Sequence, residues 1–118
     1  MRKTLLIVED SDLNRDLLVQ IFEGSYDLEV ASDGEAAIEI AVSGRADLVL
    51  MDIGLPGLSG LDAVRAIRAG AATLPIIAVS SGVMPGDKAQ AIAAGCDEFM
   101  AKPIDDMQLV AMVEGLLG

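Results

Sequence analysis

Histidine and tryptophan are absent from this 118-residue chain, cysteine occurs once, and aromatic residues make up 3% of it. Without an imidazole, and with Cys96 as the lone thiol, zinc and copper centres and Ser-His-Asp catalysis are excluded, so any metal must be a hard cation held by oxygen. One cysteine forms no internal disulfide, and its setting, GCDEF, carries no basic group to activate it, so Cys96 reads as a core filler. Basic residues are also scarce. Eight Lys and Arg against nineteen Asp and Glu leave a net charge of −11, which repels phosphate backbones and argues against direct nucleic-acid binding. No apolar run approaches the ~18 residues of a membrane span, and the short apolar stretch in MRKTLLIVED is too brief for a secretory signal. A cytoplasmic protein with no membrane contact is expected.

What the chain does have is aliphatic residues in short blocks. Residues of the hydrophobic class make up 53% of the sequence, and with so few rings the core must be built from Ala, Val, Leu, Ile and Met. Five runs stand out: TLLIV (4–8), DLEVA (27–31), DLVLM (47–51), PIIAV (75–79) and EFMA (98–101). Helical spacing fills the gaps and closes the chain. Leu13, Leu17, Leu18, Ile21 and Phe22 fall on one face of the first such segment, and Leu109, Met112, Val113 and Leu116 on one face of the last. Ser32 with Glu35 and Ser59 with Asp62 fit a capping pattern for helix starts, and Gly24, Gly44, Gly70 and Gly95 fall where helices should stop. Near-continuous apolar strands alternating with helices predict one α/β domain over residues 1–118, a doubly wound (βα)5 parallel sheet of the flavodoxin-like order 2-1-3-4-5. Gly24-Ser25 and the stretch from Gly82 to Gly86 are the expected mobile loops.

In such a sheet the carboxyl ends of all strands share one edge, where ligands bind. The residues following strands 1, 3, 4 and 5 are Glu9-Asp10, Asp52, Ser80-Ser81 and Lys102-Pro103. Each has a plain alternative: a solvated helix start, helped by Asp12, a turn acid, loop hydroxyls, a common dipeptide. The combination is harder to dismiss. Clustered carboxylates repel one another and stay ionised only beside a cation, and Lys102 alone does not balance them. Magnesium suits an all-oxygen site, and one carboxylate could then act as nucleophile toward a phosphoryl group. Asp52, alone in the middle of the cluster and followed by glycines, is the best placed.

With these residues identified, the chain resembles the receiver domains of two-component response regulators, through LLIVED, DLVLMDIGLPGLSG, LPIIAVSSG and GCDEFMAKPI in that order. The resemblance implies that Glu9 and Asp10 hold Mg²⁺ (or Mn²⁺), with Asp52 and the Gly54 backbone carbonyl, and that Asp52 accepts the phosphoryl group. It implies that Ser80 and Lys102 contact the phosphoryl oxygens, that the Lys102-Pro103 bond is cis, and that Ser80 and Phe99 form the switch. Four departures accompany it: Glu9 for the commoner Asp, Ser81 for a small Ala, Phe99 for the frequent Tyr, and Gly54 and Gly82 at two variable positions, which leave nothing to shield Asp52 from water.

The implied partners are a sensor histidine kinase or histidine phosphotransfer protein, docking beside Leu13 and Asn14 of the first helix. A downstream protein would engage the surface of the fourth helix, fifth strand and fifth helix, with Met84, Lys88, Ile92, Phe99, Ala101, Ile104 and Gln108 as candidates. With no output domain after the fifth helix, the signal is expected to leave through protein contacts, and the protein to be no enzyme beyond acting on its own phosphate. A haloacid-dehalogenase-type phosphatase needs a second acid where Gly54 stands, and an FMN carrier needs a hydroxyl-rich loop where Glu9-Asp10 stand. An unphosphorylated interaction module, or the receiver piece of a hybrid histidine kinase, remains consistent with the sequence.

Overall fold

A computed structural model describes residues 2–54, 59–71, 73–80 and 86–118. Ser81, Gly82 and Met84, and all but Gly86 of the expected loop at 82–86, lie outside the described residues. Strands β1 (Thr4–Val8), β2 (Asp27–Ala31), β3 (Leu48–Asp52), β4 (Ile76–Ser80) and β5 (Glu98–Ala101) alternate with helices α1 (Asp12–Phe22), α2 (Gly34–Val42), α3 (Gly60–Gly70), α4 (Asp87–Ala94) and α5 (Asp106–Leu117). The sheet is parallel throughout, in the order β2-β1-β3-β4-β5 expected from the strand pattern.

Side chains alternate across the sheet and so fill two cores. Leu6, Val8, Val49, Met51, Ile76 and Ala78 pack under α2, α3 and α4, where Ala37, Ala41, Val64, Ile67, Ala91 and Ala94 meet them. Leu5, Ile7, Leu48, Leu50, Ile77 and Met100 face α1 and α5, against Leu18, Phe22, Leu109 and Val113. Cys96 belongs to the first core, and burial pushes its thiol up to about 11, as an inert filler requires.

Three expectations need correcting. The face of α1 is narrower than its apolar spacing implies: Leu18 and Phe22 are buried, but Leu13 is 80% and Leu17 40% exposed. A helix lying on a sheet covers only a stripe, and these two fall outside it. At α2 the cap is Asp33, whose carboxylate accepts from Ala36 N–H at 2.8 Å, one residue beyond Ser32. Ser59 does cap α3, accepting from Asp62 N–H at 3.1 Å. Finally, β3 and β4 run one residue later than the apolar runs, because Asp52 pairs with Val79 and Ser80 with Ala101 in the ladder. Asp52 and Ser80 are thus the last residues of their strands rather than the first of their loops.

Candidate functional site

That one-residue shift sets the character of the site. A strand-terminal side chain is held by ladder hydrogen bonds on both sides and sinks into the sheet edge, and Glu9, Asp52 and Ser80 are the polar residues buried in the described structure. Ile53 N–H donates to Val79 O at 3.1 Å and Lys102 N–H to Ser80 O at 2.7 Å, so the pairing carries on past both strand ends. Glu9 N–H donates to Ala31 O at 3.1 Å, which fixes the turn from β1 toward α1.

Glu9, Asp10 and Asp52 each present a carboxylate oxygen within 4.8 Å of the others. Glu9 and Asp52 are buried and Asp10 is exposed, so the cluster opens toward solvent on the Asp10 side. Asp52 is oriented at both oxygens: Oδ1 accepts Gly54 N–H at 2.9 Å, and Oδ2 lies 3.6 Å from Lys102 Nζ. Lys102 makes its shorter contact with Glu9, at 2.8 Å from Oε1, while Glu9 Oε2 accepts Ser11 N–H at 3.2 Å.

Glu9 shows the electrostatic cost. Burial, then a hydrogen bond shared with Asp52, push its carboxyl above the ordinary value; Lys102 and the Ser11 amide pull the other way, and the Asp52 charge adds to the rise. Three acids around one ammonium therefore leave a buried carboxylate short of positive charge. Every donor is an oxygen and one side is open to water, a set that suits a magnesium-sized cation, which Glu9, Asp10 and Asp52 could hold.

Gly54 is exposed, and a Cβ there would lie 3.5 Å from Asp52 Oδ1, an ordinary contact. Glycine is therefore not demanded by packing at this position. Gly60 differs: a Cβ would come within 2.3 Å of Ile53 Cα and 2.6 Å of Asp52 O, so the first residue of α3 presses directly on the strand end that carries Asp52. The Lys102-Pro103 peptide is cis. Phe99 is half-buried against the core under α2, α3 and α4, in register with Ala78.

Sequence reasoning missed Ser11 and Gly60. Ser11 serves twice, its hydroxyl accepting Asn14 N–H at 3.4 Å to cap α1 while its own N–H orients Glu9. The acid three residues on that marks a capping box is missing here, since Asn14 occupies that place. Gly60 sits within a quoted motif, but only three-dimensional proximity distinguishes it from its neighbouring glycines.

A five-stranded parallel sheet with a buried acid at the end of its central strand, two further acids from β1 and a lysine from β5 defines the receiver class. The chain belongs to the response regulator receiver domain family, whose model matches residues 5–114. It is 34% identical to the polar-differentiation response regulator DivK of Brucella anthropi, over all of this chain and 98% of that protein. The response regulator ArlR of Staphylococcus saprophyticus is 32% identical, across 99% of this chain and 53% of its own length. Among solved structures, the receiver domain of the sensor histidine kinase PA1611 of Pseudomonas aeruginosa, with a magnesium ion coordinated in its active-site cleft, superposes with a TM-score of 0.91 at 30% identity, covering 100% of this chain and 99% of that one. The chemotaxis protein CheY4 of Vibrio cholerae gives a TM-score of 0.89 at 25% identity, covering 99% of this chain and 100% of that one.

Proposed function

We propose that the protein is a phosphorylation-driven signalling switch: Asp52 takes a phosphoryl group from a phosphohistidine on a sensor histidine kinase or histidine phosphotransfer protein, in a Mg²⁺-dependent reaction. The observation that carries this reading is the buried Asp52 carboxylate, grouped within 4.8 Å with Glu9 and Asp10 and 3.6 Å from Lys102 Nζ. A purely structural domain gains nothing from burying two acids beside a third.

Oδ2 of Asp52, on the Lys102 side, attacks phosphorus. An O–P bond forms, the P–N bond to the donor imidazole breaks, and the imidazole leaves with its electron pair and takes up a proton. The Gly54 amide holds Oδ1 and so fixes the carboxylate plane during the attack. Lys102 exchanges its contact with Glu9 for the new phosphoryl oxygens, and the Ser80 hydroxyl donates to another of them. Glu9, Asp10, Asp52 and the Gly54 carbonyl would hold the cation; magnesium, or manganese, supplies Lewis-acid neutralisation of the transferring oxygens. Loss of the group is the attack of water on phosphorus, which returns the carboxylate. The protein thus turns over only its own phosphate.

The product adds about −1.5 to −2 charges beside Ser80 and Lys102, which biases a two-state element. Ser80 and Phe99 form that switch, since both lie on the neighbouring strands β4 and β5. The readout face is α4, β5 and α5, where Lys88, Ile92, Ala101 and Gln108 are exposed and Phe99 and Ile104 half-buried. On the donor side, exposed Leu13 and Leu17 give α1 an apolar surface next to the acid pair.

Incubation with acetyl phosphate and Mg²⁺, followed by intact-mass measurement, tests the reading. One base-labile phosphoryl adduct per chain is expected, absent without the metal and absent in Asp52→Ala. No adduct from acetyl phosphate or from any phosphorylated histidine donor would instead support an interaction module that works unphosphorylated.

A further inference from the structure

At the edge of the sheet opposite the site, two aspartates repeat one arrangement. Asp47 stands just before β3, accepts Thr4 N–H on Oδ2 at 2.8 Å and returns its own N–H to Thr4 O at 2.7 Å. Asp97 stands just before β5 and does the same with Ile76, accepting its N–H on Oδ2 at 2.8 Å and donating to its O at 2.8 Å. Thr4 and Ile76 are the first residues of β1 and β4, so each aspartate clasps the start of the neighbouring strand with side chain and backbone together. The other two seams are built differently. Between β3 and β4, Val49 N–H donates to Pro75 O at 2.9 Å, and proline has no N–H to give back. Between β1 and β2, Asp27 N–H donates to Lys3 O at 3.0 Å, while the Asp27 carboxylate lies 3.6 Å from Arg2.

The ladder carries each clasp to the site. Leu5 pairs with Leu48 and Val8 with Met51, so the next step sets Glu9 beside Asp52, each five residues beyond its member of the clasp, Thr4 or Asp47. Ile77 pairs with Glu98 and Ser80 with Ala101, and Lys102, five residues after Asp97, gives its N–H to Ser80 O at 2.7 Å. At about 3.3 Å per residue that is roughly 17 Å of strand, too far for either aspartate to touch the site. Apolar burial on both faces of the inner strands already forbids a slip by a whole residue, which would turn every side chain to the other face. What is left for the clasps is the fine offset along the strands. Strand β5 depends on it most, being four residues long, at the sheet edge and buried only at Met100. Arg68 of α3 braces its entry, donating from Nη2 to the same Asp97 oxygen and from Nε to Gly95 O, both at 2.8 Å.

We propose that Asp47 and Asp97 are positioning residues of the site: from the opposite edge of the sheet, Asp47 sets the offset of β1 against β3, and so of Glu9 against Asp52, while Asp97 sets the offset of β4 against β5, and so of Ser80 against Lys102. The division is chemical as well as geometric. The first pair belongs to the carboxylates grouped for a cation, the second to the groups that meet the phosphoryl oxygens. Those roles rest on the function proposed above; the offsets themselves do not.

Alanine at each position separates the two offsets. Both aspartates are exposed, so truncation opens no cavity in the core. In Asp97→Ala, the Lys102 amide should exchange at least about tenfold faster relative to the Ile53 amide, which bonds to Val79 O across the β3–β4 seam. Phosphorylation by acetyl phosphate at saturating Mg²⁺ should slow by about tenfold, the scale of a sub-ångström displacement, with the calorimetric Mg²⁺ affinity within about twofold of the native value. Asp47→Ala should do the reverse, weakening Mg²⁺ at least about fivefold and leaving the Lys102-to-Ile53 exchange ratio as it is. Asp47→Asn and Asp97→Asn keep an acceptor oxygen at the same reach and should bring each readout back to within about twofold, which a general loss of stability would not do. If Asp97→Ala does not fold, Asp97→Gln, whose acceptor lies a methylene too far out, reads the same seam. Either alanine variant keeping its own readout at the native value overturns the proposal, and so do two variants that disturb both readouts alike. A native protein with no Mg²⁺ affinity and no phosphoryl adduct would count against the signalling reading, while Lys102 exchange in Asp97→Ala would still decide the offset.

Discussion

Glu9 concentrates the physical tension of this protein. It is 1% exposed, paired with Lys102 and the Ser11 amide, and set beside a second buried carboxylate. Its carboxyl titrates above the ordinary value of 4.5, chiefly through burial, so the folded state holds this proton more tightly than the unfolded chain does. Linkage then gives the sign. The Glu9 contribution is fully favourable below the unfolded value, and is lost as pH rises from there through the higher folded value. In EDTA, the melting-temperature difference between the native protein and Glu9→Gln should move against the native protein as pH climbs above about 4.5, Glu9→Gln serving as the reference that lacks this proton. A difference that stays flat between acid and neutral pH would mean that Lys102 fully compensates the burial.

At the level of elements, the site depends on how closely α3 seats against β3. Ser59 caps the helix and Gly60 lets its first turn touch the Asp52 and Ile53 backbone, so the helix start and the strand end position each other. A methyl group at Gly60 would find backbone at 2.3 Å on one side and 2.6 Å on another, with no flexible side chain to yield. Gly60→Ala should cost about 3 kcal/mol, at the upper end of overpacking losses, measured by urea denaturation. Ser59→Ala should cost only about 1 kcal/mol, the usual value of a lost cap. A Gly60→Ala protein as stable as the Ser59→Ala one would show that α3 can back away from β3.

For the molecule as a whole, the net charge of −11 is the dominant electrostatic fact. Arg2, Arg15, Arg45, Arg65, Arg68 and Lys102 each lie within 4.0 Å of a carboxylate, which commits most of the basic side chains to internal pairs. The remaining acidity repels itself and is screened by salt. Two cation effects should therefore be separable by thermal melts. Sodium chloride should raise the melting temperature gradually, by screening. Millimolar Mg²⁺ should raise it more than sodium chloride at equal ionic strength, by binding the folded state alone. Asp10→Asn should remove most of the magnesium-specific part and leave the sodium response. Equal effects of the two salts would indicate that the three carboxylates hold no divalent ion.

Much of the architecture was written in the chain itself. Strands β1, β2 and β5 coincide with their apolar runs, and β1, buried from Leu5 to Val8, is apolar there because a strand covered on both faces must be. Parallel pairing then sends Glu9, Asp10, Asp52, Ser80 and Lys102 to one edge whatever the loops do, so the site was legible without coordinates. Tertiary structure decided the rest. Ladder pairing with Val79 and Ala101 drew Asp52 and Ser80 inside their strands, helix packing left Leu13 and Leu17 in solvent, and Lys102 settled closer to Glu9 than to Asp52. Arg68 shows the reason most plainly, since its acceptors on Gly95 and Asp97 are 27 and 29 residues away along the chain. Local patterns record which face a residue prefers; distances between remote side chains exist only once the sheet and helices have packed.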